Sequence, residues 1–333
     1  MTKAQSASDK VYAVSDFTRE LVEDVARDRY RFGAWWTFLS RSWVRSLDDM
    51  RAVPARVRSS LLWTTLGAAI GAGMILLAAT GHAHRVALFA ATLWLPWYAG
   101  TVFFLFTHLG MVDDGSGSPH SRLLLPNGLS FLRLGLAPLV LWPCLSTPTH
   151  HVTAPVFAAF LVALTLSDVL DGFVARRMRS KTRMGRMLDP MADMALATFL
   201  AIGLLAAGIL PIPLFALIMI RYPGALLGVL LLYLARGPRP IRPTAVVRVT
   251  ALMSNVVLVT AALTLLLQPE WLTMRWFDWS LQVLYVAVTV NLVHLVWRGV
   301  RWQHGLDEVT GKHPHSAHLR VDPRRDLDVH VYD

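Results

Sequence analysis

Apolar residues fall in long blocks rather than in the two-residue alternation of strands or the single stripe of surface helices. A bilayer core is about 30 Å thick, so a spanning helix needs roughly 20 apolar residues. Eight blocks approach that length: Leu61–Thr80, Val86–Leu109, Leu129–Leu145, Pro155–Leu170, Leu188–Leu210, Ile212–Ala235, Val249–Leu267 and Leu281–Val296. The pattern predicts an all-α, polytopic membrane helix bundle. Residues 1–59 are polar and charged and contain no apolar core of the kind a cleavable signal peptide has. Within them, Trp35, Trp36, Phe38, Leu39, Trp43 and Leu47 alternate with arginines between Arg31 and Arg51. That pattern suits an amphipathic helix at a membrane surface, or one packed on the bundle. The segment from Gln303 to Asp333 is polar, and His313, His315, His318 and His330 within it have no accompanying carboxylate or cysteine pattern. A disordered tail is expected there.

The basic residues between blocks orient the chain. With both termini in the cytosol, the inside connections 176–187 and 236–248 carry Arg176, Arg177, Arg179, Lys181, Arg183 and Arg186, then Arg236, Arg239, Arg242 and Arg248. The outside connections carry only Arg85 and Arg275. This asymmetry is the one inserted membrane proteins follow.

Composition agrees. Hydrophobic residues make up 54% of the 333 and charged residues 16%, against roughly 25% charged in an average soluble protein. The net charge of +10 would suggest nucleic acid in a soluble chain; on a chain this apolar it belongs to the membrane topology, and no nucleic-acid partner is expected. A single cysteine, Cys144, excludes an internal disulfide framework and a multi-cysteine zinc site.

Charge inside or beside a span is costly and marks function. The stretch 167–193 reads SDVLDGFVARRMRSKTRMGRMLDPMAD. Asp168 and Asp171 are three apart, and Asp189 and Asp193 four apart, so each pair shares a helical face. The two pairs sit at facing ends of consecutive spans joined by a short basic connection, which lets four carboxylates converge. Such a group repels itself unless cations neutralise it. Oxygen-only ligands favour hard divalent ions such as Mg²⁺ or Mn²⁺. A metal flanked by arginines is suited to a pyrophosphate. Gly172 and Gly185 permit close approach to the backbone. A competing reading makes Asp189 a helix N-cap, with Pro190 at the first helical position.

The spacing Asp168-x2-Asp171-Gly172-x2-Ala175-Arg176-x8-Gly185-x3-Asp189-x3-Asp193 resembles the signature of the CDP-alcohol phosphotransferases (CDP-alcohol phosphatidyltransferases), with all eight positions filled. The segment Leu125-Pro126-Asn127-Gly128-Leu129-Ser130-Phe131-Leu132-Arg133 resembles the start of that family's first core helix. The likeness covers about 125–300 and leaves 1–124 unmatched. It implies a six-helix membrane enzyme, often homodimeric, preceded here by two extra spans. The expected division is a cytosolic arm over 1–59, a two-helix extension over 60–124, a catalytic core over 125–302 and a cytosolic tail over 303–333.

The resemblance also implies the chemistry: transfer of a phosphatidyl group from CDP-diacylglycerol to an alcohol, with release of CMP. Asp168, Asp171 and Asp189 would bind Mg²⁺ or Mn²⁺ in a two-metal site. Asp193 would be the general base and could also touch metal. Asn127, Gly172, Ala175, Arg176 and Gly185 would line the donor pocket. Leu188-Asp189-Pro190-Met191-Ala192-Asp193 is similar to the phosphatidylglycerophosphate synthase and cardiolipin synthase branches, although Met194 stands where those branches usually carry lysine. Glycerol 3-phosphate is the favoured acceptor; phosphatidylglycerol, inositol phosphate or another alcohol are the alternatives. Arg221, deep in the sixth block, and Arg248 are candidates for an acceptor phosphate. Arg221 could instead pair with one of the aspartates, and Arg248 could anchor its helix at the surface. A divalent cation transporter is the alternative of another class, but transporter ion sites lie near the bilayer midplane, and these aspartates adjoin a basic connection.

Overall fold

A computed structural model describes residues 24–25, 27–80, 84–112, 120–145, 153–177, 182–228, 231 and 244–303. The chain divides into two compact units, 1–291 and 292–333, and the geometry below belongs to the first. Among the described residues there is no strand. The helices are α1 (Phe32–Ala52), α2 (Pro54–Thr80), α3 (His84–Thr107), α4 (Leu125–Leu136), α5 (Leu141–Leu145), α6 (Thr153–Arg177), α7 (Arg183–Ala206), α8 (Ile212–Met219), α9 (Ala245–Leu267) and α10 (Arg275–Gln303).

Among the described residues, seven helical segments are long and apolar enough to cross a membrane, and the protein is an integral membrane protein. The eighth expected span is described as Ile212–Gly228 and residue 231; the rest of it lies outside the described residues, as do the expected cytosolic arm before residue 24, most of the basic connection 236–248 and the histidine-bearing tail.

The helices overrun the apolar blocks. The third block begins at Leu125 rather than Leu129, the fourth reaches Arg177 rather than Leu170, and the fifth begins at Arg183 rather than Leu188. Hydropathy marks the lipid-contacting length, whereas backbone hydrogen bonding carries a helix on into its polar flank. The basic connection is correspondingly shorter than 176–187. Thr182 caps α7, its Oγ1 accepting from the Gly185 amide at 2.9 Å. Asp189 is therefore not an N-cap, and Pro190 lies inside the helix. At the far end of α7, Gly208 takes φ +73°. The Ile209 amide returns to the Leu204 carbonyl at 2.9 Å, a left-handed stop that glycine adopts without a Cβ penalty.

The segment α4–α5 is the axis of the bundle. Of the residues in its apolar window 83% are buried, against 17% in that of α2. It is one span broken by a 3₁₀ turn at Ala137–Val140. α4 packs against α7, α6, α2 and α3, and α9 closes over α6 and α7. α1 is anchored to the end of α3: the Ser46 hydroxyl donates to the Thr107 carbonyl at 2.5 Å, and Trp43 stacks on Phe103 at 5.6 Å. Its Phe32, Trp36 and Leu39 are left exposed.

Candidate active site

The site forms where α4 meets the facing ends of α6 and α7. Asp168 and Asp171 lie one turn apart on α6, and Asp189 and Asp193 one turn apart on α7. α4 joins the two pairs with Ser130 and Arg133, one turn apart on its own buried face.

The Ser130 hydroxyl lies 3.0 Å from Asp171 Oδ2, 2.5 Å from Asp189 Oδ1 and 3.0 Å from the Pro126 carbonyl. A serine has one proton to donate, so it satisfies one of the three acceptors at a time. The Arg133 side chain is fully buried. Its Nη1 is 2.7 Å from Asp168 Oδ1 and 3.8 Å from Asp171 Oδ2, and its Nη2 is 3.1 Å from Asp193 Oδ1. These pairings rest on charge and proximity, because no guanidinium nitrogen aims an N–H squarely at an acceptor. The expected convergence of the four carboxylates is thus organised by two α4 residues.

Among the described residues, no three metal-ligating side chains close on a common point; Arg133 and Ser130 occupy the middle of the cluster. The donor set nevertheless fits a hard cation. Four carboxylates face one guanidinium and one hydroxyl, an excess of three formal negative charges where Asp171 is only 4% exposed. Buried charge in such excess calls for cations.

The donor-site candidates divide. Asn127, at the start of α4, accepts through Oδ1 from the Thr182 hydroxyl at 3.0 Å. Its Nδ2 is buried and unpartnered among the described residues, a free donor beside the α7 cap. A Cβ on Gly185 would meet Asn127 Oδ1 at 2.7 Å, so this glycine allows α4 and α7 to approach. Gly172 sits next to Asp171, half-buried on α6. Ala175 and Arg176 continue α6 by a further turn, and their side chains lie outside the described residues.

Arg221 lies in a π-helical turn, Ile220–Gly224, that follows α8 and packs against α7. Turns of this kind are frequent at functional sites. Arg221 is 5% exposed. Its Nη2 donates to the Val247 carbonyl at 3.1 Å, and its guanidinium lies 4.5 Å over the Tyr222 ring. Its Nε has no partner and, among the described residues, it forms no ion pair, so the expected alternative of pairing with an aspartate is not found. Arg248 follows Val247 in the first turn of α9, with its side chain exposed.

Arg133 and Ser130 were given no role on sequence grounds, yet a signal existed. Arg133 is a charge within an apolar span, the same mark that singled out Arg221, and Asn127, Ser130 and Arg133 recur at three-residue intervals.

A family model described as CDP-alcohol phosphatidyltransferase matches residues 123–296. A cardiolipin synthase (CMP-forming) of Rattus norvegicus is 43% identical over 98 residues, 29% of this chain and 31% of the relative. A CDP-diacylglycerol–glycerol-3-phosphate 3-phosphatidyltransferase of Aquifex aeolicus is 43% identical over 74 residues, 22% of this chain and 39% of the relative. A probable phosphatidylglycerophosphate synthase of Mycobacterium tuberculosis is 35% identical over 122 residues, 36% of this chain and 56% of the relative. The chain thus spans between about a third and just over half the length of these relatives.

Proposed function

The chain belongs to the CDP-alcohol phosphatidyltransferase family, and on that premise we propose that it transfers a phosphatidyl group from CDP-diacylglycerol to an alcohol, favouring glycerol 3-phosphate, and releases CMP. The observation that carries this reading is the gathering of all four signature aspartates around Ser130 and Arg133. The acceptor follows the activity that the name of the Aquifex aeolicus relative gives; phosphatidylglycerol, inositol phosphate and other alcohols are the alternatives, since Met194 stands where the phosphatidylglycerophosphate and cardiolipin synthase branches usually carry lysine.

Asp168, Asp171, Asp189 and Asp193 would hold Mg²⁺ or Mn²⁺. When bound, such ions neutralise the donor pyrophosphate and the departing phosphate. The chain's own groups carry the remaining steps. Asn127 and the backbone at Gly172 and Gly185 receive the cytidine diphosphate, together with Ala175 and Arg176, as the family resemblance implies. Asp193, in reach of the acceptor hydroxyl, takes its proton. The acceptor oxygen then bonds to the phosphorus bearing diacylglycerol, and the bond from that phosphorus to the bridging oxygen breaks. The electron pair leaves on CMP. Arg221 is buried with no carboxylate partner among the described residues, as a receptor for an acceptor phosphate must be before substrate arrives, and Arg248 marks the outer side of that path. The arginine-rich connections support a cytosolic face for both termini and the site, where a soluble nucleotide and a membrane-held lipid can meet. A homodimer is the expected assembly.

The test is CMP release by the purified chain in detergent with CDP-diacylglycerol, Mg²⁺ or Mn²⁺, and a panel of acceptors. Asp193→Asn should abolish release with every acceptor; full activity in that variant would refute the base assignment.

A further inference from the structure

The two spans before the family-matched region grip α4 from one end to the other. At the approach to α4, Arg56, 3% exposed near the start of α2, donates to the Leu109 carbonyl at 2.8 Å and to the His120 carbonyl at 3.0 and 2.6 Å. Ser59 Oγ accepts the Leu123 amide at 2.8 Å. One turn into α4, Gly128 lies so close to the Trp63 ring that any Cβ would overlap it. At mid-helix, Tyr98 packs on Phe131 at 6.1 Å and donates to the Thr64 carbonyl at 2.5 Å.

The break after α4 carries the strongest contact. Pro138 has no N–H, so the Leu134 carbonyl four residues earlier loses its helical donor. In a membrane that carbonyl needs a partner from the protein. Trp97 Nε1 supplies it at 2.8 Å, and Trp94 Nε1 donates to the neighbouring Gly135 carbonyl at 3.1 Å. Both tryptophans belong to α3, outside residues 123–296.

Resting on the reading under Proposed function, we infer that α2 and α3 are a brace for the catalytic centre. Trp94 and Trp97 are positioning residues: by pinning the broken end of α4 they fix where Ser130 and Arg133 hold the four aspartates. They touch no substrate. Arg133 lies one residue before the carbonyl that Trp97 holds, so any shift or rotation of α4 is passed directly to the carboxylates.

The full chain carrying Trp94→Phe and Trp97→Phe keeps an aromatic ring at each position and loses both donors. The two bonds together are worth about 2 kcal/mol, so amide hydrogen exchange over 125–140 should quicken by about thirtyfold, while exchange over α9 stays unchanged. The kcat for CMP release should fall by about tenfold with the CDP-diacylglycerol KM held within about twofold. Trp97→Phe alone should give the smaller change in the same direction if the double variant does not fold. Unchanged exchange over 125–140 overturns the brace. Faster exchange with unchanged kcat overturns the positioning role. A wild-type chain that releases no CMP with any acceptor would sink the proposed function instead, and exchange would then decide the brace by itself.

Discussion

Replacing Arg133 by glutamine isolates what holds the carboxylates together. The wild-type side chain is fully buried and faces the side chains of Asp171, 5% exposed, Asp193, 34% exposed, and Asp168, 48% exposed. Removing one partner of a buried ion pair costs about 3–5 kcal/mol, because the remaining charge is stranded. Asp168 is half in solvent, and its pairing contributes no more than about 1 kcal/mol. The loss therefore comes mainly from Asp171 and Asp193, and the lower end, about 3 kcal/mol, is expected. Thermal unfolding of the purified protein in detergent with a chelator should show it as a clear drop in midpoint. Divalent ions should then stabilise Arg133→Gln more than the wild type, because the variant has lost the competing cation; binding at a hundredfold excess over Kd supplies about 2.7 kcal/mol. A variant that melts with the wild type in chelator would refute the view that Arg133 holds the cluster. Equal gains from the metal in both proteins would refute the competition.

Two further outcomes follow from the neighbouring geometry. Thr182→Ala removes the α7 cap and the hydroxyl that meets Asn127, so it should cost about 1 kcal/mol of stability and raise the CDP-diacylglycerol KM, both readable on one preparation. Arg221→Gln should raise the acceptor KM by roughly tenfold or more, as expected for a charged hydrogen bond worth about 1.5–3 kcal/mol, while leaving the donor KM in place; steady-state titration of each substrate separates the two, and a change confined to the donor would contradict the placement.

The sequence carried the aspartate site further than it carried the helices around it. Spacings of three and four residues place Asp168 with Asp171 and Asp189 with Asp193 on helical faces, and those spacings survive even though both helices overrun their apolar blocks. The apolar blocks misjudged the ends because Arg176 and Arg177, or Arg183 and Arg186, are as helical as the leucines beside them. The π-helical turn at Arg221 was not legible, since nothing local distinguishes Ile220–Gly224 from an ordinary helix approaching Pro223.

By itself the sequence determined an all-helical membrane chain, its arginine-weighted connections and the four carboxylates paired on two faces, because each depends only on hydropathy, charge and the 3.6-residue period. The tertiary structure decided what stands between those faces. Ser130 and Arg133 reach Asp171, Asp189 and Asp193 across 38 to 60 residues of chain, and Trp97 meets the carbonyl orphaned by Pro138 across 37. No local rule encodes such partners. A buried carboxylate or carbonyl states only that it needs one, and the packing of α3 and α7 on α4 selects which residue answers.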